Sequence, residues 1–174
     1  MEYTFTLKYQ LAGGDRSADA LVDSLGEAGC DDALVGTGQP GRLALEFTRD
    51  AVDADAAVRS ALADVRRAVP SAGLIEVAPD LVGLTDVAEM VGVSRQNMRK
   101  LTLAHPGSFP APVHEGSTSL WHLADVLSWL EAKGGYTLAR DLMEVATVAL
   151  QINVAKESQR LARPVSRELN ALVS

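Results

Sequence analysis

The chain has 174 residues and a formal net charge of −7, with 47% hydrophobic and 22% charged residues. This is ordinary globular usage and excludes a disordered or collagen-like polymer. A single Cys excludes a disulfide framework and a Cys-based zinc site. No stretch reaches the ~18 apolar residues of a membrane span, and MEYTFTLKYQ has no basic segment leading into an apolar core. A soluble, cytoplasmic protein of one domain or two small ones is expected.

Tyr3, Phe5, Leu7 and Tyr9 recur with period two, as in a half-buried strand ended by Gly13-Gly14-Asp15. Ser17 can cap a helix carrying Ala18, Leu21, Val22 and Leu25, with Gly26 and Gly29 beyond the last of these. A short strand at Ala33–Val35, a turn from Gly36 to Gly41 and a strand carrying Leu43, Leu45 and Phe47 follow. Asp53 or Asp55 opens a helix through Ala57, Val58, Ala61, Leu62, Val65 and Val69. Pro70 and Gly73 precede a fourth strand with Leu74, Ile75 and Val77. The order βαββαβ predicts an α+β fold of ferredoxin-like type: two helices on one face of a four-stranded antiparallel sheet.

Pro79-Asp80 reads as a joint, giving an α+β domain at 1–79. The spacing then predicts short helices at 85–91, 95–103 and 123–132, and a long one at about 136–161 before Pro164. Charge divides in the same place. Residues 1–80 hold 14 Asp/Glu against 7 Lys/Arg, residues 81–133 hold 5 against 4, and residues 134–174 hold 4 against 5. The acidity that would repel a nucleic acid is therefore confined to the first half.

Residues 84–101 meet the demands of a helix-turn-helix. Ala88 is small enough for a helix crossing, and Gly92, four residues on, can take the positive φ of the turn. Val87, Val91, Val93, Met98 and Leu101 are apolar where two helices must lock, and Thr85 and Ser94 suit the two N-caps. A second helix placed in a major groove turns its N-terminal side chains to base edges. Those are Ser94, Arg95, Gln96 and Asn97, with Arg99 and Lys100 one turn on. Arg can hold guanine bidentately, Gln or Asn can hold adenine, and Lys is a phosphate point charge. The helix N-terminus itself favours an approaching phosphate. The alternative is an ordinary helical hairpin with a basic solvated face.

Phe109-Pro110-Ala111-Pro112-Val113 is extended by its prolines. His114 to Ser119 is a polar turn, Leu120-Trp121 returns as a second strand, and a helix from Leu123 carries Asp125, Val126 and Trp129. This layout is a two-stranded wing behind a helix-turn-helix, anchored by Trp121 and Trp129.

Over about 50 residues the chain resembles the excisionase and AlpA-like winged helix-turn-helix proteins of the MerR-like superfamily. The resemblance is carried by Leu84-Thr85-Asp86-Val87-Ala88, Gly92-Val93-Ser94, Phe109-Pro110-Ala111-Pro112, Trp121, Asp125-Val126 and Trp129. It implies that Ser94–Lys100 read the major groove and that His114–Ser119, with His114, Ser117 and Thr118, touch backbone or minor groove. The chain departs from the group in its acidic front domain and in a wing without Arg or Lys.

Other features carry less. Gly36-Thr37-Gly38-Gln39-Pro40-Gly41 spells G-x-G-x-x-G, but a strand follows it where a dinucleotide loop needs a helix, so a hairpin loop is expected. Cys30 beside Asp31 and Asp32 reads as a buried thiol next to solvated acids. His114 and His122 could approach across the wing, yet no positioned carboxylate completes a metal site. No Ser-His-Asp or paired-carboxylate arrangement stands out, so neither an enzyme nor a cofactor is expected.

Leu138, Leu142, Val145, Val148, Ala149, Ile152 and Ala155 recur at spacings of three and four. They read either as a helix packed on its own domain or as a dimerisation helix. The second is preferred because an operator-binding module usually works in two copies. Its expected pairing residues are Leu138, Leu142, Val145, Ala149 and Ile152. The tail, with Arg160, Arg163 and Arg167, could touch phosphate or stay mobile.

The sequence thus predicts a homodimeric, sequence-specific transcriptional regulator. A winged helix-turn-helix over 80–133 reads double-stranded DNA, as an inverted repeat, through the recognition helix 94–103. Residues 134–174 pair subunits, and the acidic domain meets a protein partner or signal. An antitoxin-like protein that neutralises a partner and represses its own operon, or a recombination or architectural accessory factor, are the alternatives.

Overall fold

The computed structural model describes residues 1–13 and 17–174. Of the turn expected at Gly13-Gly14-Asp15, Gly14 and Asp15 lie outside the described residues. The chain is mixed α+β, and the described residues form seven helices, a four-stranded antiparallel sheet and a two-stranded sheet. The larger sheet comprises β1 (Glu2–Gln10), β2 (Ala33–Gly36), β3 (Arg42–Asp50) and β4 (Gly73–Ala78), in the order β2-β3-β1-β4. Helices α1 (Ala18–Glu27) and α2 (Ala54–Ala68) make the two crossovers.

The period-two pattern decides which face is buried. Tyr3, Phe5, Leu7 and Tyr9 on β1 and Leu43, Leu45 and Phe47 on β3 enter one core, while Thr4, Lys8, Gln10, Arg42 and Thr48 face solvent. Phe5 and Phe47 are register partners and stack with centroids 5.3 Å apart. Ser17 caps α1, accepting from the Ala20 N–H at 3.3 Å. Asp53, not Asp55, caps α2, accepting from the Ala56 N–H at 2.8 Å. Val22, expected on the buried stripe of α1, is exposed; Leu21 and Leu25 alone enter the core from that helix. The G-x-G-x-x-G run joins antiparallel β2 and β3, with Gly41 at φ 72°, so it is a hairpin loop.

Cys30 is buried as expected, and burial followed by the nearby Asp64 carboxylate pushes its thiol up to about 11. Its acidic neighbour Asp32 is not simply solvated. It holds the buried Arg49 bidentately at 2.7 and 2.9 Å, while Asp64, Ser60 and the Gly29 carbonyl take the remaining guanidinium hydrogens. All five donors are used, and the Asp32 hydrogen bonds foremost hold the guanidinium pKa above its ordinary value.

Beyond β4 come β5 (Leu81–Val82), α3 (Leu84–Val91), α4 (Arg95–Ala104), β6 (Trp121–His122), α5 (Leu123–Lys133), α6 (Arg140–Ser158) and α7 (Arg167–Val173). A second core gathers Val82, Val87, Ala88, Met98, Leu101, Phe109, Trp121, Leu123, Val126, Leu127 and Leu130. Phe109 lies edge-on to both Trp121 and Trp129.

Helix α6 begins only at Arg140, after Gly134 and Gly135 at positive φ, and it belongs to both cores. Val145, Val148, Ala149 and Ile152 pack on the sheet side, whereas Leu142, Ala146 and Leu150 pack on the helical side. Its polar side chains also finish the sheet edge. The Asn153 amide pairs with both backbone groups of Val77, accepting from the N–H and donating to the carbonyl at 2.8 Å each. Lys156 donates to the Ile75 carbonyl, and the Tyr3 hydroxyl donates to Glu144 at 2.8 Å. An edge strand so covered offers fewer free groups to another chain.

This arrangement corrects the expected dimerisation face. Val145 and Ala149 are fully buried against their own sheet, and Ile152 packs beside them. Leu142 packs on the second core, and so does Leu138, which precedes the helix. Spacings of three and four mark a buried helix face but do not identify the surface that buries it. The Pro79-Asp80 joint is likewise a tight junction. Asp80 is buried, its carboxylate accepts from His122 Nδ1 at 2.6 Å and from Asn153 Nδ2 at 2.7 Å, and its carbonyl accepts from the Leu123 N–H at 2.7 Å. His122 is thereby committed to a carboxylate and makes no pair with His114.

Candidate nucleic-acid interface

Local sequence sets the angle between α3 and α4. Gly92 ends α3 in the left-handed region at φ 71°, and the Val93 N–H closes back on the Ala88 carbonyl at 2.9 Å. Nothing lies within 4 Å of a Cβ built on Gly92. Conformation rather than space therefore demands glycine there. Ser94 caps α4, its hydroxyl accepting from the Asn97 N–H at 3.1 Å. Thr85 does not cap α3. That helix starts one residue earlier, after Gly83, whose N–H donates to Asp86 at 2.8 Å, and this leaves the Thr85 hydroxyl on the surface.

With Met98 and Leu101 buried, α4 turns Arg95, Gln96, Arg99 and Lys100 outward, and Asn97 is half-buried. Arg95 and Arg99, one turn apart, project from the same side. Neither they nor Lys100 pair with a carboxylate among the described residues, unlike Arg49, Arg59, Arg67, Arg140 and Arg160. Three cations remain available to an anion brought from outside.

The wing is shorter than the sequence suggests. His114 and Leu120 form a single antiparallel bridge at the mouth of the 115–119 turn. Trp121-His122 pairs instead with Leu81-Val82, a strand the sequence analysis did not predict. Trp121 is tied to the extended segment before the turn by its Nε1–H, which donates to the Pro110 carbonyl at 3.0 Å. A Cβ on Gly116 would stand 2.7 Å from His114 Nε2, so the imidazole lies across its own turn. His114 therefore folds onto the wing rather than projecting from it.

Five of the expected residues converge. Thr85, Arg95, Arg99, Ser117 and Thr118 line one cleft of about 460 Å³ between the start of α3, α4 and the wing turn. Thr102 and Ser119, not singled out from the sequence, complete it. No Asp or Glu lines this cleft. Two unpaired guanidiniums among several hydroxyls form a donor-rich wall suited to phosphate oxygens or to the acceptor edge of guanine. Ser94, Gln96, Asn97, Lys100 and His114 lie outside the cleft. Gln96 and Lys100 are exposed on α4 beside it.

No protein-family model, no curated protein and no solved structure matches the chain.

Proposed function

We propose that the protein is a homodimeric, sequence-specific DNA-binding regulator. In this reading α3 and α4 form the helix-turn-helix of an excisionase-like winged module, the 114–120 turn is its wing, and α4 enters the major groove. Residues 1–79, with their βαββαβ order and β2-β3-β1-β4 sheet, form a ferredoxin-like domain that receives a protein partner or signal. The observation that carries the reading is the carboxylate-free cleft that joins Arg95 and Arg99 to the wing hydroxyls. Phosphate contacts supply most of the affinity in such a mode and base contacts the selectivity.

Selection from random-sequence duplexes at physiological salt tests it. An enriched inverted repeat is expected, and Arg95→Ala should then cost ~1–3 kcal/mol on that site and relax its selectivity. Equal losses on cognate and random DNA would remove Arg95 from base reading. No enrichment even at low salt would remove the regulator reading altogether.

A further inference from the structure

With the apolar face of α6 buried in its own chain, the proposed dimer needs another interface, and two uncovered apolar surfaces remain. One is a groove of about 600 Å³ where the junction, the base of the wing and the end of α6 meet. Its apolar wall is Leu81, Val113, Val154 and Leu161, each between 44% and 54% exposed. The other is α7. Ser166 caps it, accepting from the Leu169 N–H at 3.2 Å, and Leu169, Leu172 and Val173 fall on one stripe. Leu172 and Val173 are 82% and 74% exposed, and every residue from Glu157 to Ser174 is exposed. A seven-residue helix does not hold itself in water, so its apolar stripe calls for a surface to pack on.

We infer that α7 of one copy seats its Leu169-Leu172-Val173 stripe in the Leu81-Val113-Val154-Leu161 groove of a second copy, and receives that copy's α7 in return. Within one chain α7 stands clear of the groove although Leu161, in the groove wall, is only six residues before it. The two surfaces match in charge as well as polarity. Arg163 and Arg167 have no carboxylate partner among the described residues, and Glu157 stands on the groove rim. Reciprocal exchange makes the contact twice and closes a two-fold dimer rather than a filament. The inference rests on the homodimer reading above and supplies the interface that α6 does not.

The test is read without DNA, by sedimentation equilibrium on the full chain. Wild type should be a dimer, and Leu172→Asp and Val154→Asp should each weaken association by roughly 1,000-fold, since each removes two symmetric apolar contacts. Both substituted positions are exposed, so thermal unfolding of the monomers should stay within a few degrees of each other. Mixing the two variants is the decisive arm. The Val154→Asp chain keeps an intact tail and the Leu172→Asp chain an intact groove, so the mixture should recover a heterodimer held by one exchange. A monomeric wild type, substitutions that leave the dimer intact, or no recovery on mixing would each overturn the exchange. A monomeric wild type whose groove binds an apolar dye would assign the groove to a small ligand instead. Failure here and failure of the regulator reading are separable: a Leu172→Asp monomer should still select one half-site if α4 reads DNA.

Discussion

Asp80→Asn tests whether the junction holds the molecule together, because the substitution changes charge and hydrogen-bond polarity with almost no change of shape. In the native chain Oδ1 accepts from His122 Nδ1 at 2.6 Å and Oδ2 from Asn153 Nδ2 at 2.7 Å. An asparagine can still accept from His122, but it loses the carboxylate charge, which reduces a contact of ~1.5–3 kcal/mol to ~0.5–1.5. Its amide group then faces the Asn153 amide, donor against donor. Asn153 cannot turn over, because its other atoms pair with Val77. One buried donor is left unsatisfied, at ~1–3 kcal/mol. The sum is a loss of about 2–4 kcal/mol, measured as a lower urea midpoint with an unchanged m-value. A cycle with Asn153→Ala isolates the clash, because in that background Asp80→Asn should cost at least ~1 kcal/mol less. A loss below ~1 kcal/mol, or additive costs, would refute the argument that Asp80 is the hub of the junction.

Gly92→Ala should cost about 1 kcal/mol through its positive φ alone, and unchanged stability by urea titration would show that the turn relaxes freely. Arg49→Met leaves the Asp32 and Asp64 carboxylates facing one another without their shared cation, so a loss of about 3–5 kcal/mol is expected; a neutral result in thermal unfolding would mean that water replaces the guanidinium. The Cys30 thiol, pushed up to about 11 and buried, stays protonated at neutral pH. Its reaction with an aromatic disulfide should therefore be slow in the folded protein and fast in denaturant, and fast labelling of the native chain would contradict this.

What could be read from the sequence follows the reach of each signal. β1 and β3 were legible because one sheet face is packed and the other open, so burial writes a period of two into nine-residue runs. The α3–α4 pair was legible because Gly92, Ser94 and Ala88 act within a few residues of themselves. Leu81-Val82 was not, since two residues carry no period and their partner, Trp121-His122, lies 40 residues on. Asp80 after a proline looks like a turn. Its burial depends on His122 and Asn153, 42 and 73 positions away, a distance at which no local pattern speaks. Helix α7 did leave a signal, the Ser166 cap before Glu168 and the Leu169, Leu172 and Val173 stripe, behind the Pro164 that was taken as the end of regular structure. At the candidate site, side-chain chemistry identified Arg95 and Arg99, but the convergence of Thr85, Ser117 and Thr118 on them is tertiary.

The same non-local ties constrain how residues 1–79 could act on the proposed interface. Within the helix pair there is little to adjust: Gly92 fixes the turn, Ser94 fixes the start of α4, and Met98 is fully buried between the two helices and α5. Close packing of this kind transmits displacement rather than absorbing it. Between the two cores, by contrast, the polar connections pass through a few groups. Asn153 holds β4 with one end and Asp80 with the other, and Asp80 holds both His122 in β6 and the first N–H of α5. A partner that shifts α6 along the edge of β4 must therefore move β6 and α5 together, carrying the wing and α4 as one unit. In the regulator proposed above, a signal at the sheet would change where the cleft points, and in a dimer the distance between two clefts, while leaving the cleft itself intact. Such a signal should alter the preferred half-site spacing and leave the half-site sequence unchanged.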